Sequence, residues 1–111
     1  MTFTFVETTK FTQRIVKLGL ETDLRQLQQE LLENPDKGNT EPGTGGLRKV
    51  RMSASTRGQG KSYGARVHYA VALQRRVIYL IFVYGKDEMT KLSAQHKTQL
   101  RALVRTLTED V

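Results

Sequence analysis

The stretch Arg66–Tyr84, RVHYAVALQRRVIYLIFVY, decides the fold. Two runs rich in Val, Ile, Tyr and Phe, 66–73 and 77–84, flank the polar triplet Gln74-Arg75-Arg76. β-branched and aromatic side chains favour strands. A short polar break between two such runs reads as a tight turn, so the stretch reads as an antiparallel hairpin. Val77–Tyr84 is the most apolar run of the chain and reads as the central strand.

Toward the N-terminus, Thr56–Gly60 is a glycine-containing turn, and Leu47–Ser53 before it reads as a third strand. Residues 35–46, PDKGNTEPGTGG, are a loop by composition. Leu20, Leu24, Leu27 and Leu31 recur at helical spacing, with Thr22 as N-cap and Asn34-Pro35 as the stop. Phe11, Ile15 and Leu18 place another amphipathic helix over 8–18, ending at Gly19. The two helices share almost no linker and read as a helical hairpin. Phe3-Thr4-Phe5-Val6 alternates as a short first strand. Toward the C-terminus, Gly85–Thr90 is a loop and Ser93 an N-cap. The last helix carries the apolar stripe Leu100, Leu103, Val104 and Leu107, with His96 at its start. The order is β-α-α-β-β-β-α. It predicts an α+β fold, a largely antiparallel sheet packed against helices. With 111 residues the chain is one domain, 1–111.

Charge is distributed unevenly along that order. The net charge is +7. Residues 1–47 hold five basic and seven acidic side chains, and residues 87–111 hold four of each. Residues 48–86 hold nine basic residues and no acid: Arg48, Lys49, Arg51, Arg57, Lys61, Arg66, Arg75, Arg76 and Lys86. Excluding carboxylates from 39 consecutive residues suggests a polyanionic partner, most often nucleic acid, with an acidic protein as the rival.

Several chemistries are set aside. There is no cysteine, which removes disulfides, thiolate metal sites and a cysteine nucleophile. No apolar run reaches the ~18 residues of a spanning helix, and MTFTFVETTK does not read as a signal peptide. The expected compartment is a reducing cytoplasm, with no membrane partner. Gly58-Gln59-Gly60-Lys61-Ser62 ends like a phosphate-binding loop, but the required upstream glycine is Ser55 and a strand follows instead of a helix. Gly43-Thr44-Gly45-Gly46 also precedes a strand and is not a dinucleotide fingerprint. His68 and His96 have no evident third ligand, so neither a metal nor a cofactor is expected.

Strand alternation assembles the surviving constellation. If Val50, Met52, Val67, Tyr69 and Val71 face the core, then Lys49, Arg51, Arg66 and His68 meet on one open sheet face. Tyr84 then lies at a strand end, with Lys86 just past it. Clustered cations repel unless an anion sits among them. They suit a phosphodiester cleaved by its own 2′-hydroxyl. That reaction needs a proton acceptor, cations for the charge on phosphorus, and a proton for the 5′ oxygen. A lysine among cations can act as base, arginine fits phosphate oxygens, and histidine moves protons near neutrality. Ordinary readings stand beside these: a solvated strand face for Lys49 and Arg51, and a helix carboxylate for Arg66. His68 can be a passive surface residue, and Tyr84 a strand-end aromatic or a base-stacking ring. Arg57 and Lys61 in the turn read as contacts to a nucleic-acid backbone.

The runs Glu30–Pro35, Pro42–Arg51, Gly58–Val67 and Tyr84–Glu88 together resemble the HigB-type branch of the RelE toxin family. Gly43–Arg66 is the most specific part. The resemblance implies the toxin of a bacterial type II toxin–antitoxin module, acting as a ribosome-dependent mRNA endonuclease in the ribosomal A site. It implies a cognate HigA-like antitoxin with a helix-turn-helix, and operator DNA bound only through the toxin–antitoxin complex. It implies catalytic roles for Lys49, Arg51, Arg66 and Lys86; Arg48, Arg57, Lys61, Arg75 and Arg76, from the same acid-free stretch, are expected as further RNA or ribosome contacts. The chain departs from the pattern in two places. Asp87 stands where the best-known RelE toxins carry an arginine. Ser93 stands where they carry a tyrosine, whose role then falls to Tyr84, Tyr63 or His68. Two other readings compete: a gyrase poison of the same fold, ParE-like, and a nucleic-acid-binding module without chemistry.

Overall fold

The computed structural model describes residues 2–53, 64–85, 88 and 92–109. Within them the chain runs β1 (Thr4–Glu7), α1 (Thr9–Leu18), α2 (Glu21–Glu33), β2 (Asn39–Thr40), β3 (Arg48–Met52), β4 (Ala65–Ala72), β5 (Val77–Gly85) and α3 (Ala94–Thr108). The expected order holds with one addition. The loop over 35–46 contains β2, two residues with no hydrophobic alternation to announce them. The sheet order is β1-β5-β4-β3-β2. β2, β3, β4 and β5 pair antiparallel, while β1 joins β5 in parallel. Val77–Gly85 is flanked on both sides, as its apolar run predicts.

Helix ends follow local chemistry. The Thr8 side chain caps α1 by accepting from the Phe11 N–H. Gly19 closes α1 in the left-handed region at φ 68°, its N–H returned to the carbonyls of Ile15 and Val16. The turn is so tight that α2 starts at Glu21. Its N-cap position is Leu20, with no side-chain cap, and not Thr22 as the sequence suggested. Leu20 is buried, so core packing fixes this turn, and Glu21 and Asp23 supply negative charge to the first turn. Ser93 caps α3 as expected, accepting from the His96 N–H.

Each sheet face is covered differently. On one, Val50, Met52, Val67, Tyr69, Ile78, Leu80 and Val83 pack with Phe11, Ile15, Leu24, Leu27 and Leu31 of α1 and α2. On the other, Leu47, Ala70 and Ile81 pack with Val104 of α3, and Tyr79, Phe82, Leu92, Leu100 and Leu107 surround them. β1 covers only residues 77–80 of β5. Beyond it α1 takes over the strand edge. Thr8 Oγ1 donates to the Ile81 carbonyl at 2.7 Å, and Arg14 Nε donates to that of Val83 at 3.3 Å. No described helix is long and apolar enough to cross a membrane.

Candidate functional site

The register brings the sequence candidates together. Lys49 lies opposite His68, Arg51 opposite Arg66, and Arg66 opposite Tyr84. Directly opposed residues of an antiparallel pair share a face. These side chains therefore occupy the same face as Leu47, Ala70 and Phe82, but at the end of the sheet that α3 leaves uncovered. The strand ends Met52, Ala65 and Gly85 lie at this end. Arg51 is exposed. Arg66 is half-buried, with Nη1 donating to the Gly64 carbonyl at 3.3 Å. Among the described residues neither arginine has a carboxylate partner. Two guanidinium groups facing each other across a ladder repel, and an anion placed between them would relieve that repulsion.

Sequence reasoning missed one member, Glu41. Its Oε1 lies 2.9 Å from Lys49 Nζ. Glu41 sits beyond β2, where its N–H donates to the Leu47 carbonyl at 2.8 Å and its carbonyl accepts from Thr44 Oγ1 at 2.6 Å. Thr44 is fully buried, so the backbone of Glu41 is fixed from both sides. Counting acids by segment placed Glu41 with the acidic helices. Had Asn39–Thr40 been read as a strand paired with β3, Glu41 would have fallen opposite Leu47, on the face of Lys49.

A second contact set holds this loop. Tyr69 is fully buried; its hydroxyl donates to the Pro35 carbonyl at 2.7 Å and accepts from the Gly38 N–H at 2.9 Å. Burial, the largest influence, raises the Tyr69 pKa above its ordinary value. Gly38 must be glycine, because a Cβ there would meet the Lys49 carbonyl at 2.8 Å. Arg48 donates to the Gly38 carbonyl at 2.6 Å and pairs with Asp36 at 3.3 Å. It points to the loop before β2 and stands apart from the Lys49–Arg66 group.

His68 is not on an open face. It is fully buried, where its strand neighbours suggested exposure. It stands at the seam between the apolar end under α3 and the charged end, opposite Phe82. The ladder shifts register between His68 and Tyr69, which leaves Ile81 as an extra residue of β5 on the α3 side. The Tyr84 ring meets the imidazole edge-on at 5.3 Å, with its hydroxyl 3.4 Å from Nε2, while Nδ1 has no hydrogen-bond partner among the described residues. Desolvation by burial lowers the His68 pKa from 6.5 to about 4; the Glu41 charge opposes this shift and Lys49 adds to it. The ring is thus neutral at pH 7. Tyr84 is buried too, and burial raises the pKa of its phenol. The pair underlies the cation cluster and presents no stacking surface.

Arg75 and Arg76 occupy the β4–β5 turn at the opposite end, ~20 Å from Arg66 at ~3.3 Å per residue. Arg75 bonds the Leu107 carbonyl of α3 and lies over the Tyr79 ring at 5.9 Å. Arg76 adopts φ 54°, and its carbonyl accepts from the Thr4 N–H at 2.9 Å. Arg57, Lys61, Tyr63, Lys86 and Asp87 lie outside the described residues. Glu88 accepts from the Gly85 N–H at 2.6 Å and pairs with Arg14 of α1. The Arg14 contact is the main cause holding its carboxyl below the usual range. Among the described residues no three His, Asp or Glu side chains gather as a metal site.

A small mixed sheet with two helices on one face, a third covering half of the other, and cations on the remainder defines a class of architecture. Its likeness to a solved structure is specific. The Escherichia coli toxin RelE, in the free state and with two arginines replaced by alanine, is 22% identical. It matches with a TM-score of 0.62 over 93% of this chain and 97% of that one. The fold is RelE-like. No protein-family model matches the sequence.

Proposed function

We propose that this chain is the toxin of a type II toxin–antitoxin module and cleaves mRNA on the ribosome without a metal ion. The observation that carries the reading is the Lys49–Arg51–Arg66 group at the end of the sheet that α3 does not cover, where neither arginine has a carboxylate partner among the described residues. The RelE-like fold supports it. Arg51 and Arg66 hold the non-bridging oxygens of the scissile phosphodiester and stabilise the charge that builds on phosphorus as the 2′-oxygen attacks. Lys49 donates to the same phosphate, and Lys86, one residue past β5, adds a further cation. Tyr84 and His68 support the floor beneath. Arg48, Arg57, Lys61, Arg75 and Arg76 are further contacts to RNA or the ribosome, Arg75 and Arg76 from the opposite end of the sheet. The partner that silences the protein is a HigA-like antitoxin with a helix-turn-helix, operator DNA is reached through that complex, and the setting is the cytoplasm.

Primer extension on an mRNA exposed to the purified protein, with and without ribosomes and with a chelator present, tests this reading. Discrete cleavage that needs ribosomes and survives the chelator is expected. Intact mRNA on ribosomes would overturn the nuclease reading, and inhibition of supercoiling instead would favour the gyrase-directed alternative.

A further inference from the structure

Glu41 is a carboxylate at the edge of a cation cluster, fixed from both backbone sides and 2.9 Å from the ammonium of Lys49. Its side chain keeps 15% of its surface open to solvent, against 35% for Lys49, so it is sheltered yet reachable. A purely structural ion pair has little reason to sit where phosphate is to bind, because a carboxylate there repels the phosphate and competes for the lysine. Resting on the nuclease reading above, we infer that Glu41 is the general base that accepts the 2′-hydroxyl proton, and that Lys49 serves as a hydrogen-bond donor to the phosphate.

The division of labour follows from the pair itself. An ammonium bonded to a carboxylate already bears its full set of protons and can only donate; the carboxylate can only accept. The lysine thus links the two halves of the reaction. A phosphate oxygen accepting from Nζ at ~2.8 Å lies within about 6 Å of the Glu41 carboxylate, the scale of one ribose. Glu41 takes the proton as the 2′-oxygen bonds to phosphorus. The bond from phosphorus to the 5′-oxygen breaks, leaving a 2′,3′-cyclic phosphate. The departing oxygen gains a proton from solvent and Glu41 later returns its own, so no proton is consumed. Tyr69 and Thr44, through the loop they hold, fix where the acceptor stands. His68 does not compete for the task, since it is buried behind the cluster.

The test compares full-length wild type with Glu41→Gln and Glu41→Asp on ribosome-bound mRNA in single-turnover experiments. Binding is measured separately with an mRNA carrying a 2′-O-methyl group at the scissile position. Expected for Glu41→Gln is cleavage slower by about 10²- to 10³-fold. Binding to the methylated mRNA should be unchanged or tighter, and wild type should lose rate toward acid pH while Glu41→Gln does not. Glu41→Asp should retain that decline with an intermediate rate. Glu41→Gln cleaving within about threefold of wild type overturns the assignment, as does lost binding with an unchanged pH profile, which marks a structural ion pair. Wild type that leaves ribosome-bound mRNA intact overturns the nuclease reading itself, a different outcome from a competent wild type with a competent variant.

Discussion

The two ends of one sheet face teach different lessons, although the same strands build both. At the end under α3, Leu47, Ala70 and Ile81 meet Val104, with Tyr79, Phe82, Leu100 and Leu107 packed around them. At the other end the same strands carry Lys49, Arg51 and Arg66, and the two arginines lie opposite each other with no carboxylate partner among the described residues. The first end contributes to stability through burial. The second opposes folding by like-charge repulsion, which an anionic ligand relieves. His68 and Tyr84 mark the border, polar side chains buried among their neighbours.

Mutations at the two ends should therefore separate function from stability. The largest effect belongs to the charged end. Arg66→Ala should slow mRNA cleavage by about 10²- to 10³-fold and abolish growth arrest on expression. It should leave the thermal midpoint unchanged or slightly raised, since a repulsion is removed. A toxic Arg66→Ala chain would break the comparison. At the apolar end the pattern reverses. Leu47→Ala, at a fully buried position, should destabilise by about 2–5 kcal/mol in denaturant titration while the remaining folded protein cleaves normally.

The border gives a pH signature. The His68 pKa falls from 6.5 to about 4 on folding, so between these values the unfolded chain binds a proton that the folded chain does not. Stability is then fully present above pH 6.5 and is lost as pH falls toward 4, by about 3 kcal/mol in all. Midpoints measured from pH 7 to pH 4.5 should drop more steeply for wild type than for His68→Gln; parallel curves would show that His68 does not set the border. The smallest effect concerns the loop beside the charged end. Tyr69→Phe removes the hydroxyl shared by Pro35 and Gly38 and should cost about 1–3 kcal/mol. Cleavage should fall further than folding alone explains, because the loop carries Glu41. A rate unchanged per folded molecule would show that the loop holds its place without this anchor.

Much of this was legible in the sequence because it rests on period and punctuation. The alternation of Val67, Tyr69 and Val71 against Arg66 and His68, and the break at Gln74–Arg76, determine β4, β5 and the face that carries the cations. Gly19 and Ser93 mark helix ends through local backbone and capping chemistry. What was not legible depends on long-range contacts. Asn39–Thr40 pairs with β3 in a stretch secured by Tyr69 and Arg48 through contacts to Pro35, Asp36 and Gly38, none of which has a periodic signature. His68 has the parity of an exposed residue, yet it is buried at the seam beside α3. Glu41 belongs by sequence to the acidic part of the chain and by space to the basic one, so charge counted along the chain assigned it to the wrong company.

β1 has four residues and β2 has two, and among the described residues these are the outermost strands of the sheet. An extended chain that docks on β1 or β2 by continuing the ladder gains at most four residues of pairing on the first and two on the second. Backbone pairing alone thus gives a neighbouring copy little to template on, and discourages fibrous self-association. A tight and selective complex formed on these two outermost strands must draw its affinity from side chains.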